Sequence, residues 1–314
     1  MFKNAFILSV VALAFSAVPQ DADASIFRNI SDLQEAEVFG QSSIFDGFGL
    51  LVGTDINGDS FVTGTAFLIE DNDGLAGSNW LATAGHTLFS APETPWERLR
   101  FFNNQDVLGG DLNDFIEIDL TVPFPGFTGS EPNGGTGNDI GLARLSTAIT
   151  DVAPLQFFQG SDNDLIGAEF VTAGYGNPGV FGQQIGDFDG IRRGGRNVVE
   201  SAGASFGATT VEDQFFVTDF DQFDFEGPLP LEHQASNSDS GAGLLFNIDG
   251  SLVVGGIING GLTSNTSTFA ISTAPFNDFI NTTISSSSTS VPEPGTMSLL
   301  AFGMIGAAVK RNRK

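Results

Sequence analysis

Short apolar runs recur along the chain, each closed off by a cluster of Gly, Asn or Asp. A first series comprises Gly49–Val52, Phe61–Ile69, Trp80–Thr83, Leu99–Phe102, Phe115–Leu120 and Ile140–Leu145. A second follows at Ala168–Gly174, Arg196–Glu200, Gln214–Thr218, Ala242–Phe246, Ser251–Ile258 and Ser267–Ile271. Punctuation such as Asn57-Gly58-Asp59 and Asp249-Gly250 is turn chemistry, and runs of this length between turns predict strands. Only Ala274–Asn281 carries a helical pattern, and no repeat of fixed period is present. Two sets of about six strands predict an all-β chain folded as two packed barrels or sandwiches, with one short helix near the end.

The two ends follow other rules. Lys3, the apolar run Ala5–Val18 and Ala22-Asp23-Ala24 form a secretory signal over residues 1–24, so cleavage leaves Ser25 first. The apolar run is too short for a membrane span of about 20 residues. At the other end, Ser285–Ser290 is a Ser/Thr linker. Val291-Pro292-Glu293-Pro294 follows it, then an apolar stretch Met297–Val309 and the basic tail Lys310-Arg311-Asn312-Arg313-Lys314. This order resembles the PEP-CTERM sorting signal of exopolysaccharide-producing bacteria, over residues 291–314. The resemblance implies a short transmembrane helix, a basic stop on the cytoplasmic side and an exosortase that cuts near Pro-Glu-Pro. Signal peptidase and exosortase are thus the expected processing partners, and the bacterial envelope or exterior the expected location. The body is residues 25–284, with one half at about 40–150 and the other at about 155–282.

Composition narrows the options. Of 314 residues, 41% are hydrophobic, enough for a substantial core, and Phe supplies 31 of the aromatics. There is no cysteine, which excludes disulfides and thiolate metal sites. Between Ser25 and Ser290 stand seven basic residues, all Arg, and 35 acidic ones, a net −28. Nucleic acid is therefore not an expected partner. With only His86 and His233 present, a multi-histidine metal centre is excluded, and neither metal nor cofactor is expected.

Three segments carry chemistry. Leu81-Ala82-Thr83-Ala84-Gly85-His86 ends a strand on a histidine, Asn138-Asp139-Ile140-Gly141-Leu142 opens one on an aspartate, and Ser238-Asp239-Ser240-Gly241 puts a serine on a tight turn. A serine becomes a nucleophile only with a base in reach and a carboxylate to orient that base, and His…Asp…Ser is one chain order that supplies both. Taken singly, each residue has a plainer reading as a core histidine or a turn residue. Together, in register with Gly64-Thr65-Ala66-Phe67, Ala173-Gly174-Tyr175-Gly176 and Gly255-Gly256-Ile257-Ile258-Asn259-Gly260-Gly261, they resemble the chymotrypsin/trypsin-like serine proteases over roughly residues 40–282.

That resemblance implies two six-stranded Greek-key barrels and a peptide or protein substrate. It makes Ser240 the nucleophile, His86 the general base and then acid, and Asp139 the orienting carboxylate. The N–H groups of Ser238 and Ser240 become the oxyanion hole. Activity is expected to fall away below about pH 6, where His86 protonates. By motif offset Gln234 lies at the base of the substrate pocket, Asn259, Gly260 and Gly261 along one wall and Ser267 near the far side. No acid sits at the base to select Arg or Lys.

Two departures stand out. Ser238 replaces a family glycine in a turn where a Cβ is costly. Asp239 is present, yet no Ile-Val-Gly-Gly start follows Ala24. Either the chain is cut elsewhere, near Arg28, or Asp239 is held by other groups. These departures support a rival reading, a catalytically silent trypsin fold serving as an envelope binding or matrix protein.

Other motifs read as coincidence. Gly203-Ala204-Ser205-Phe206-Gly207 matches a nucleophile elbow, but that site needs a strand-to-helix turn for which no helix is predicted. Asp55–Asp59 resembles a calcium loop without its closing acid and reads as a hairpin turn. Asp219, Asp221, Asp224 and Glu226, alternating with Phe, read as an acidic strand edge, and His233 as a loop residue near the pocket.

Overall fold

The computed structural model describes residues 25–287 apart from 72–76, 92–93, 126, 128–137, 184–185, 204–214, 222–228 and 263–266. The signal and sorting segments, Ser205, Asp224 and Glu226 lie outside the described residues. Among those described, no helix is long and apolar enough to cross a membrane.

The first half is a closed six-stranded barrel. Its order runs Phe48–Thr54, Ser60–Ile69, Ser78–Thr83, Gly141–Ile149, Ile116–Pro123, Arg98–Phe102 and back to the first. Alternation turns Leu51, Leu68, Leu81, Phe101 and Leu145 into a dry interior. Bulges at Leu51/Val52 and Ser78/Trp80 bend the strands enough to close. The first hairpin turns at Asp55, whose carboxylate accepts from the Asn57 and Asp59 N–H groups at 2.9 and 3.0 Å, as the turn reading of that motif expects.

The second half is an eight-stranded sheet, open among the described residues, where the sequence had implied a second closed barrel of six. Its order is Arg193–Val198, Glu169–Gly174, Gly243–Ile248, Ser251–Leu262, Ser267–Ser272, Phe215–Thr218 and Ser201–Ala202, with Gln156–Phe157 added parallel to Ser251–Leu262. The two end strands are consecutive in the chain. Val199 N–H donates to Ala168 O and Glu200 N–H to Val217 O, so the chain crosses from one end to the other and the sheet curls into a half-barrel.

Two helices flank this body. Helix α1, Ile30–Gly40, was not predicted, because its apolar positions form no stripe. Ile30 and Val38 are exposed, while Ala36 and Gly40 are buried. It starts on an Asn29 cap and is held at its end by the buried Arg192 side chain, whose Nε and Nη1 donate to Gly40 O (2.8 Å) and Phe48 O (2.9 Å). Helix α2, Asn277–Ser287, follows a short turn at Ala274–Phe276 and covers the predicted helical stretch. It runs on through Ser285–Ser287, the first residues of the expected Ser/Thr linker. Phe276, Ile280 and Ile284 recur every fourth residue and are buried, with Phe124 edge-on to Phe276 at 4.8 Å.

The halves lock together at one seam. Thr65 N–H donates to Ser240 O (2.8 Å), Thr65 Oγ1 donates to Ser238 O (2.8 Å), and the Tyr175 hydroxyl donates to Asn104 O. The seam holds the candidate serine turn against the first barrel.

Candidate active site

His86 stands on a short 3₁₀ turn, Gly85–Leu88, at the mouth of strand Ser78–Thr83. Asp139 lies just before strand Gly141–Ile149, which pairs with that same strand. The pairing brings the two side chains together: His86 Nδ1 and Asp139 Oδ2 are 2.7 Å apart, and the His86 N–H donates to Asp139 Oδ1 at 2.7 Å. The carboxylate is buried and the ring a quarter exposed. Burial pushes the Asp139 carboxyl up, but the charge and hydrogen bond of His86 and a bond from Asn259 outweigh it and hold its pKa below the ordinary range. Burial lowers His86, while the Asp139 charge and hydrogen bond raise it further, leaving its pKa above 6.5.

Asn259, expected along the pocket wall, reaches the aspartate with its side chain. Nδ2 donates to Asp139 Oδ2 (2.8 Å) and Asp139 O (2.9 Å), while Oδ1 accepts from the Ile271 N–H (2.8 Å). Its own carbonyl accepts from Ser240 Oγ at 3.3 Å. One buried amide thus ties the aspartate to the serine turn. Among the described residues the serine hydroxyl bonds this carbonyl rather than the His86 ring.

The serine turn is shaped by backbone rather than by side-chain packing. Gly241 has φ +91° and would put a Cβ 2.1 Å from Thr65 O, so no larger residue fits. Ser238 has φ +74°, the left-handed conformation feared for a residue with Cβ. Among the described residues nothing accepts the N–H of Ser238 or Ser240. Left-handed strain costs about 1–2 kcal/mol, whereas glycine gives back about 0.4–1 kcal/mol in chain freedom. Ser238→Gly is therefore expected to match or exceed the parent in stability, by up to about 1.5 kcal/mol. Thermal denaturation reads this, and a lower Tm would mean that the serine side chain supports the turn.

Asp239 is buried and well satisfied. Its Oδ2 accepts from Ser25 Oγ (2.6 Å), Ser236 N–H (2.9 Å) and Ser236 Oγ (3.1 Å), and its Oδ1 from Gly176 N–H (2.9 Å). His233 Nε2 lies 3.5 Å away. Burial raises this carboxyl, yet the bonds from His233, Ser25 and Ser236 bring its pKa below the ordinary range. In this chain other groups hold Asp239, among them the hydroxyl of Ser25, the expected first residue after export. Ser25 is buried, and Ile26 pairs with Gln234 through bonds of 3.0 and 3.2 Å. Removing that hydroxyl in Ser25→Ala loses a hydrogen bond to a charge, worth about 1.5–3 kcal/mol. For a chain of this size that is a Tm lower by about 3–12 °C. An unchanged melting curve would show that Ser25 contributes nothing.

The remaining candidates lie on neighbouring segments. Gln234 is buried and bonded through its backbone to Ile26. Ala235 N–H donates to Thr268 Oγ1 at 2.8 Å, which sets Gln234 near the strand that begins at Ser267. Gly260 pairs with Phe269, Gly261 with Thr268 and Leu262 with Ser267, and a Cβ on Gly260 would meet open space. His233, outside any strand or helix, is buried beside Phe27, with ring centroids 5.5 Å apart.

An all-β body with a closed barrel, a half-barrel and His86, Asp139 and Ser240 at their seam has the trypsin-like architecture. A solved structure described as "Structure of GrC" is similar to this chain, with a TM-score of 0.53 and 14% identity, covering 77% of this chain and 96% of that one. At that identity the likeness establishes the fold. No curated protein matches the sequence. Residues 290–314 match the family described as PEP-CTERM protein-sorting motif, which marks the chain for export, exosortase processing and association with the membrane or envelope.

Proposed function

We propose that the chain is an exported serine endopeptidase that cleaves peptide bonds through an acyl-enzyme. The observation that carries this reading is the continuous linkage from His86 Nδ1 to Asp139, from Asp139 to the Asn259 amide, and from the Asn259 carbonyl to Ser240 Oγ. A turn of the Ser240 side chain aims its hydroxyl at the exposed face of His86, which takes the proton as Oγ attacks the scissile carbonyl. His86 then passes that proton to the leaving amine, and water repeats the cycle on the ester. The buried carboxylate holds the proton on Nδ1 and supports the imidazolium. The unbonded N–H groups of Ser238 and Ser240 receive the oxyanion. With Gln234 rather than an acid at the expected pocket base, the favoured substrate side chain is polar or medium apolar rather than basic. Signal peptidase supplies the Ser25 terminus.

A silent binding fold is the second reading, favoured by the left-handed Ser238 and by the hydroxyl that bonds a carbonyl. A fluorophosphonate probe on the folded, exported protein separates the two. Labelling mapped to Ser240, with steady hydrolysis of a mixed peptide library, supports the endopeptidase. Peptide binding with neither labelling nor turnover supports the silent fold.

A further inference from the structure

We propose that Asp219, Asp221 and Glu232 bind a calcium ion on the second half of the molecule, at a site separate from the triad. Strand Phe215–Thr218 runs on into Asp219-Phe220-Asp221. Phe220 is buried beside Ile26 and stacked on Phe181 at 5.8 Å, and this alternation turns both aspartates outward to the same side. Glu232 arrives from the segment before the serine turn. One carboxylate oxygen from each of the three lies within 4.8 Å of the others. Calcium–oxygen distances of about 2.3–2.6 Å span such a gap, and an all-carboxylate set suits a hard cation rather than zinc.

An acidic cluster alone would be a solvated edge, as the sequence suggested for Asp219 and Asp221. Glu232 changes that. It is 2% exposed, its Oε1 accepts from the Asp221 N–H at 2.7 Å, and its Oε2 is buried with no hydrogen-bond partner among the described residues. A buried carboxylate oxygen without a donor is costly unless a cation meets it. Among the described residues no basic side chain does so. Arg196, whose residue bridges Glu232 in the backbone, sends its guanidinium to Glu169 and over the Phe39 ring, and the six other arginines of the body bond elsewhere. His233, next in the chain, faces Asp239. Three carboxylates this close repel one another, and a divalent ion removes that repulsion.

The scaffold is already in place. Asn197 Nδ2 donates to both Asp219 O (2.5 Å) and His233 O (3.1 Å), stapling together the two segments that supply the ligands. Bound calcium would add a second staple two residues ahead of Gln234. Its main effect is therefore on stability.

The test uses the exported protein stripped with EDTA. Calorimetric titration with CaCl₂ is expected to show one site, and calcium at about 100-fold over Kd to raise Tm by about 5–10 °C. Glu232→Gln keeps an acceptor for the Asp221 N–H but removes the buried charge. It should melt higher than the parent without metal and gain nothing from calcium. Asp221→Asn, at an exposed position, gives the same loss of response should Glu232→Gln fail to fold. A parent protein with no calcium heat and no Tm shift overturns the site. So does a full calcium response in both variants, or a magnesium response as large as that to calcium.

Discussion

Ser240→Ala is expected to abolish fluorophosphonate labelling and to lower kcat by about 10⁶, leaving about 10³-fold over water from the oxyanion donors and binding. The size follows from the way the group acts. In the proposed mechanism His86 and Asp139 assist only by moving the Ser240 proton, so without the hydroxyl both are idle. The fold should not suffer. The hydroxyl makes a single 3.3 Å bond to Asn259 O, while the turn is held by backbone bonds to Thr65 and Ile258 that alanine keeps. A far-ultraviolet spectrum and Tm close to the parent, alongside lost turnover, are the expected pair. Retained hydrolysis in this variant would move the chemistry to another residue, and retained labelling would do the same.

Asp139→Asn should lower kcat by about 10⁴ with a folded protein. Oδ1 accepts the His86 N–H, while Oδ2 accepts both His86 Nδ1 and Asn259 Nδ2. An amide has one acceptor where the site needs two, so in either orientation one donor faces another. The ring also loses the charge that supports its protonated form. That charge acts on pH dependence with a definite sign. In the parent, Asp139 raises His86 above 6.5, so kcat/KM should rise through a midpoint above pH 6.5 as His86 becomes neutral. This corrects the fall below about pH 6 expected from an unperturbed histidine. In Asp139→Asn the same midpoint should move down, because burial alone then acts on the ring. A pH–rate series on both proteins reads the shift. An identical midpoint in the two would separate Asp139 from His86.

The folded form of that pair also carries stability. The raised His86 pKa means that its contribution is fully present below 6.5 and fades as pH rises through the folded value. The proposed catalysis therefore falls on the side where this one contribution is declining. The other buried pair faces the opposite way: the lowered Asp239 keeps its stabilisation above 3.8 and loses it as acid reaches the folded value. The serine turn is thus secured through the whole range in which His86 is neutral.

Much of this molecule was determined by local sequence. All twelve predicted runs lie in or overlap strands, because turn residues and alternating side chains act over a few positions at a time. The motifs around His86, Asp139 and Ser240 were readable for the same reason: each sits at the end of a strand its own neighbours specify. What the tertiary structure decided lies at long range. Asn259 meets Asp139 across 120 positions and Ser25 meets Asp239 across 214. Arg192 closes α1 from 152 positions away, and Glu232 meets Asp219 and Asp221 only once the chain has returned from strand Phe215–Thr218. None of these partners has a periodic signature. A buried polar side chain takes whichever donor or acceptor the packed core brings to it, and that choice exists only after the halves have closed on each other.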